Sequence, residues 1–301
     1  MNRTASQSSS ALAVVLSALA LPLGFAGAQE PGAKAQTPTP ESVVAAMRTQ
    51  EAAASSIELA LETTGRLAGG LTFAARGSVR VLRAAQPEAS ASHTVVDYDF
   101  GDGLSGRVES VETKDGLLTL QQDPTFGETF VRIDATVMKD LAWASDAEAT
   151  GDAPFQAGPR ARSPIGAELF ADLALRFDLR LVDKPAPEGM KGAWWQGERK
   201  KAADSGDNAD LPLADRVEAF VRDGDSVLMD VVYTQKGEVV QRVRVTKAVL
   251  GAPMQMASFR IDVEGKKPID AKEHGPTWQQ IEQTLQRATQ KKNGELPPSR
   301  K

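Results

Sequence analysis

The chain has 301 residues, 41% of them hydrophobic, 25% charged and only 5% aromatic, with 25 Gly and 17 Pro. These fractions exclude a collagenous or wholly disordered chain, and a net charge of −5 argues against a basic nucleic-acid footprint. The absence of cysteine removes disulfides, thiolate metal sites, cysteine nucleophiles and a lipid-modified N-terminal cysteine, and two histidines leave little for metal or relay chemistry.

The opening MNRTASQSSSALAVVLSALALPLGFAGAQE reads as an export signal. Arg3 supplies positive charge, Ala11 to Leu23 is apolar and too short for a membrane span, and Ala26-Gly27-Ala28 fits a cleavage site. The expected division is a signal at 1–28, a Pro-, Ala- and Thr-rich leader at 29–39, one domain at 40–270, and an amphipathic helix with a polar tail at 271–301. Usage rich in Ala and Arg places the product in the bacterial periplasm, as a monomer.

Thr39 and Pro40 form a cap and first turn for a helix carrying Val43, Val44, Met47 and Ala54 at helical spacing. Period-two patterning then predicts strands at Ile57–Thr63, Leu71–Leu82 (with a bulge at Gly77), Thr94–Phe100, Val108–Thr113, Leu117–Gln121 and Thr129–Ile133. Ala68-Gly69-Gly70 and Lys114-Asp115-Gly116 supply turns. Helices are expected over Ala135–Ala144, with Val137, Leu141 and Trp143 apolar, and over Pro164–Arg176; 145–163 reads as a loop. Short strands at Phe177–Val182 and Ala193–Gly197 precede a charged loop at 198–212. Four strands follow, Arg216–Arg222, Ser226–Thr234, Val239–Lys247 and Ser258–Val263, then a helix from Pro276 to about Gln290 with Trp278, Ile281, Leu285 and Ala288 on one side.

The segment DSVLMDVVYTQKGEVVQRVRVTKAVLGAPMQMASFRIDVEGKKPID, residues 225–270, resembles the closing hairpin of the periplasmic lipoprotein-carrier (LolA/LolB-like) superfamily, the outer-membrane lipoprotein-sorting type. Residues 41–82 match its opening helix and hairpin, so the resemblance spans about 41–270. It implies an α+β fold: a strongly curved antiparallel sheet, an incomplete β-barrel, with helices covering the concave face. It implies a non-enzymatic carrier of lipid or lipoprotein acyl chains, served by membrane-bound donor and acceptor proteins, with no cofactor. Carriers of this type end the second strand with Arg-Pro, the arginine holding a lid; here Arg83 is followed by Ala84, and Pro87 comes later.

On that reading the apolar cavity is lined by Leu59, Leu61, Phe73, Val79, Val81, Leu118, Leu120, Met229, Val231, Val243, Val245, Phe259 and Ile261, with Ile57 and Leu71 beside them. Leu169, Phe170 and Leu173 face them from the mid-chain helix. Burying each methylene gains roughly 0.8 kcal/mol, so an acyl chain repays desolvation of such a cavity. The same side chains also suit a plain core, which leaves an exported protein-interaction module with a filled core as the alternative.

Other chemistry finds little support. Asp204, Asp207, Asn208 and Asp210 do not fit a calcium loop, Asp97, Asp99 and Asp102 read as strand-edge charges, and His93 and His274 lack ligand spacing. No hydrolase or phosphate-loop motif occurs. Trp194 and Trp195 are expected on opposite faces of one strand, with one ring inward and the other free for a membrane or partner. Lys266, Lys267, Lys291, Lys292, Arg300 and Lys301 give basic ends to the last helix, which is expected to cap the barrel.

Overall fold

The computed structural model describes residues 38–66, 70–84, 90–101, 103–124, 127–148, 164–200 and 214–292. The export signal, most of the leader and of the 145–163 and 198–212 loops, the Asp204–Asp210 cluster, Asp102, Ala68-Gly69, Pro87, Arg300 and Lys301 lie outside the described residues. So do the side chains of Trp143, Ala288, Lys291 and Lys292.

Helix α1 (Pro40–Ala53) begins as the sequence dictates. The Thr39 hydroxyl accepts from the Ser42 amide and the Ser42 hydroxyl accepts from the Thr39 amide, a reciprocal capping box with Pro at N1. Six antiparallel strands follow by short turns: β1 (Ser56–Arg66), β2 (Thr72–Leu82), β3 (Ala91–Asp99), β4 (Ser105–Thr113), β5 (Gly116–Asp123) and β6 (Gly127–Asp134). Helices α2 (Ala135–Glu148) and α3 (Ala167–Arg176) come next, then β7 (Arg180–Val182), β8 (Gly192–Glu198), β9 (Arg216–Arg222), β10 (Leu228–Gln235) and β11 (Glu238–Leu250). The chain closes with β12 (Ile269–Asp270) and α4 (Gly275–Lys292).

All twelve strands form one open sheet in the order β12-β6-β5-β4-β3-β2-β1-β11-β10-β9-β8-β7. Every pairing is antiparallel except β12 with β6. This is the α+β open half-barrel that the resemblance implies. Its core divides by helix pair. Helices α1 and α3 pack together on β1, β2 and β8–β11, where Met47, Phe170, Leu173, Leu59, Val79, Val217 and Tyr233 are buried. Helices α2 and α4 pack together over β6, joining Leu141 and Ile281 to Val131 and Ile133.

Two expectations about backbone need correction. Gly77 is no bulge: β2 keeps register with both neighbours there, and a Cβ at Gly77 would stand 3.3 Å from both Leu61 Cδ1 and the Val95 carbonyl. The bulge falls instead between Ala60 and Leu61, where β1 meets β11. Residues 258–263 join no described ladder. The chain leaves β11, passes a 3₁₀ turn at Met256–Ser258 and lays Phe259 and Ile261 on Leu82, Ala91 and Val111. Alternating burial reports an extended chain with one face covered, and a strap lying on a sheet produces it without pairing. This strap is fixed at one end by the Ser56 hydroxyl donating to the Ala252 carbonyl at 2.5 Å, and at the other by Lys266 with Glu128.

Candidate functional site

Directly paired residues across a ladder share a face, so the registers draw the inner, helix-bearing side of the sheet row by row. One row runs Leu250, Ile57, Val81, Ser92, Glu112, Leu117 and Ile133. The next runs Ala248, Leu59, Val79, Thr94, Ser110, Thr119 and Val131; then come Val245, Leu61, Gly77, Val96, Val108, Gln121 and Thr129. Toward the hairpin tips lie Thr63, Ala75, Tyr98 and Gly106, then Gly65 and Phe73.

The flanks of these rows carry large apolar residues beneath the two helix pairs. The strip between them, on β3, β4 and β5, mixes the hydroxyl-bearing Ser92, Thr94, Ser110 and Thr119 with Glu112, Leu117, Gln121, Val96 and Val108. Ala75, Val96, Tyr98 and Val108, with Phe100 packed against them, form a cluster to which no described helix contributes. Phe100 lies 5.5 Å from Tyr98 and 6.2 Å from Phe73, ring centre to ring centre. The Tyr98 hydroxyl donates to Asp123 at 2.7 Å, and burial, with that carboxylate, pushes its ionisation up. At the hairpin end Leu71, Leu104 and Val239 are exposed. This inner-face strip, the trough, is apolar toward the hairpin end and polar at the other, with Ala75, Val96, Tyr98 and Val108 buried in it.

Of the cavity residues expected from sequence, Leu59, Val79, Val81, Phe170, Leu173, Met229 and Val231 are buried in the α1/α3 core, with Leu169, Val243 and Val245 packed against it. Leu61 and Phe73 lie on the inner face, half-buried, beside the trough. Four lie elsewhere. Leu118 pairs with Val111 and Leu120 with Glu109, on the outer face, and Phe259 and Ile261 pack there from the strap. The reason is parity: the expected strand was right, but Leu117 and Thr119 are its inward positions.

Trp194 and Trp195 point to opposite faces as expected, yet both are buried, which removes the exposed-ring reading. Trp195 meets Phe170 edge-on at 5.6 Å; Trp194 packs on Phe220, donates from Nε1 to the Pro185 carbonyl at 3.0 Å, and has Lys184 Nζ 4.0 Å above its ring. His93 is buried on the outer face with Nε2 2.9 Å from Glu109, which Arg107 links to Asp97. Asp99 accepts from the Gly101 amide, and His274 Nδ1 lies 2.8 Å from the Thr277 hydroxyl. Lys266 is held by Glu128 on the strap. Among the described residues no group of three His, Asp or Glu could hold a metal. A groove of about 480 Å³ beside the start of α1 is lined by Glu41, Asp178, Arg180, Glu198 and Lys200, with no expected cavity residue in it.

The partner of Arg83 and the place of Glu112 were missed in the sequence. Arg83 is partly buried at the end of β2, where its guanidinium binds the Glu51 carboxylate at 2.7 Å and the Glu51 carbonyl as well. It ties down α1. Glu112 lies on the trough floor, where burial alone pushes its carboxyl up to about 7. The hydroxyls at Ser92, Thr94, Ser110 and Thr119 were the available signal, since their strand positions bring them beside it.

A scan against protein-family models and a search of curated proteins return no match. Solved structures do. MucB in complex with MucA(peri) is similar at 11% identity and a TM-score of 0.39, over 75% of this chain and 61% of that one. The lipoprotein LppX of Mycobacterium tuberculosis is similar at 13% identity and a TM-score of 0.35, over 72% of this chain and 99% of that one. A LolA superfamily protein from Nitrosomonas europaea is similar at 8% identity and a TM-score of 0.27, over 75% of this chain and 99% of that one.

Proposed function

We propose that this chain is an exported, periplasmic, non-enzymatic carrier or binder of lipid or lipoprotein acyl chains, and that the trough on β3–β5 is where the chain lies. The supporting observation is the inner-face cluster of Ala75, Val96, Tyr98 and Val108, which joins neither helix-covered core. Phe73 and Phe100 continue it toward the exposed Leu71 and Leu104. A dozen methylenes leaving water gain on the order of 10 kcal/mol before the cost of ordering, enough for micromolar binding after half is lost to that cost only if the trough adds further contacts. Membrane-bound donor and acceptor proteins would then load and unload it.

A specific observation favours the second reading, a protein-interaction module with a filled core. Ten of the sixteen expected lining residues pack into or against the α1/α3 core, as the side chains of a filled core do. Native mass spectrometry of the chain purified from an exporting bacterial host, followed by organic extraction, separates the two. The carrier reading expects co-purifying adducts of acyl-chain mass that delipidation removes. A clean apo mass with no uptake of added phospholipid or acylated peptide would overturn it in favour of the interaction module.

A further inference from the structure

The deep end of the trough has a chemistry that a purely apolar cargo does not explain. Glu112 projects from β4 on the inner face, paired with Ser92 on one side and Leu117 on the other. The row beside it is Thr94, Ser110 and Thr119, with the Ser110 and Thr119 hydroxyls 3.2 Å apart. No hydrogen bond or ion pair to the Glu112 carboxyl occurs among the described residues. Its charged neighbours in the ladders, His93, Arg80 and Arg132, fall on outer-face positions. Arg83 is committed to Glu51, and Lys139 and Asp140 of α2 are exposed. A half-buried carboxyl with no cation near it is costly to keep, and it accepts hydrogen bonds but cannot give them once ionised.

We propose that this polar strip recognises a primary ammonium carried by the cargo: the ammonium sits against Glu112 with the Ser92 and Ser110 hydroxyls around it, and the acyl chain runs past Val96 and Val108 toward Phe73 and Phe100. The inference rests on the carrier reading above and specifies its cargo class. From Glu112 to Gly106 the strand measures roughly 20 Å at strand rise, a length that matches an extended acyl chain. An anionic end group is disfavoured there, because it would meet a carboxylate with no compensating cation.

The test uses the full chain and three probes of equal chain length, dodecylamine, dodecanol and dodecanoate, titrated at pH 5.5 and pH 8. The amine stays protonated throughout, as a lysine does. With Glu112 ionising near 7, its charged fraction rises about 30-fold between the two pH values, and the amine's preference over the alcohol should rise with it, reaching tenfold or more at pH 8. Glu112→Gln should erase that preference, while Glu109→Gln, on the outer face of the same strand, should keep it. Equal binding of amine and alcohol to the wild type overturns ammonium recognition and leaves the carrier reading standing. Failure of all three probes to bind overturns both. Competition with lysophosphatidylethanolamine and with a lipopeptide bearing a free N-terminus identifies the ammonium's source, and displacement by either supports the assignment. Equal displacement by the N-acetylated lipopeptide refutes it.

Discussion

Replacing Arg83 with Met should unfold α1 from the sheet before anything else fails. Arg83 and Glu51 have side chains only 13% and 7% exposed, and they meet at 2.7 Å. The same guanidinium also binds the Glu51 carbonyl, and the Arg83 amide donates to the Ser55 carbonyl at 2.8 Å. Arg83→Met leaves the Glu51 carboxylate buried without its guanidinium, a change that costs about 3–5 kcal/mol when a buried pair is broken from one side. Removing both charges together, with Glu51→Met added, should recover most of that loss, because two desolvated charges are exchanged for apolar surface. Arg83→Lys should fall between, since an ammonium cannot hold the carboxylate and the carbonyl in the guanidinium's fork. Urea unfolding followed by fluorescence of Trp194 and Trp195, both in the α1/α3 core, reads the loss directly. A single-mutant loss below about 1 kcal/mol, or a double mutant no better than the single, would refute the claim that this pair anchors the helix.

Stability should fall as pH rises from about 4.5 to about 7: burial raises the Glu112 carboxyl to about 7 in the folded protein against 4.5 in the unfolded chain, so the folded state holds a proton the unfolded state has lost. After solvent screening the drop is on the order of 2 kcal/mol, level above pH 7, and Glu112→Gln should flatten it in a urea series across pH. Phe170→Ala should cost about 3–5 kcal/mol in the same assay, because Phe170 is fully buried edge-on to Trp195; a loss under about 1 kcal/mol would mean α3 is a loose cover and not core. Gly116→Ala should cost about 2 kcal/mol or more, since φ is +122° and the new Cβ would stand 2.1 Å from the Ile133 carbonyl; Gly224→Ala, with positive φ and open space, should cost about 1 kcal/mol on the same thermal-melt comparison.

The antiparallel sheet was legible because one buried face per strand writes a period of two, and Ile57-Glu58-Leu59-Ala60-Leu61 states it plainly. The Thr39–Ser42 cap and the turn at Gly116 were legible for the same local reason. What failed were choices between faces. Leu118 and Leu120 looked inward because they are apolar at a spacing of two, yet the outer face is also covered, where Phe259 and Ile261 lie on Leu82, Ala91 and Val111. Apolar alternation marks the inner face only when the other face meets water. The strap that breaks this condition comes from more than 130 residues along the chain, beyond any local window. Arg83 was noticed, but its partner Glu51 sat on a helix face that the apolar pattern assigned to neither role.

The same arrangement explains why a carrier site would fall on β3–β5. The strap packs on the outer side of this region, through Phe259 on Ala91 and Val111 and through Lys266 with Glu128. On the inner side no described helix contributes to the Ala75, Val96, Tyr98 and Val108 cluster, and a small residue stands beside it on β2. Gly77 illustrates the point. Any larger residue there would press on Leu61 and the Val95 carbonyl at the trough's edge, whereas the flanking rows fill the equivalent space with Leu59 and Val79 under α1 and α3. The helix-covered cores lie on the two flanks, and the proposed site lies on the strip between them. Gly77→Val therefore separates the two roles: it should lower uptake of acyl probes at least tenfold by filling the trough edge, with a stability loss no greater than about 1–3 kcal/mol from overpacking. Undiminished uptake in a folded Gly77→Val protein would place the acyl chain elsewhere.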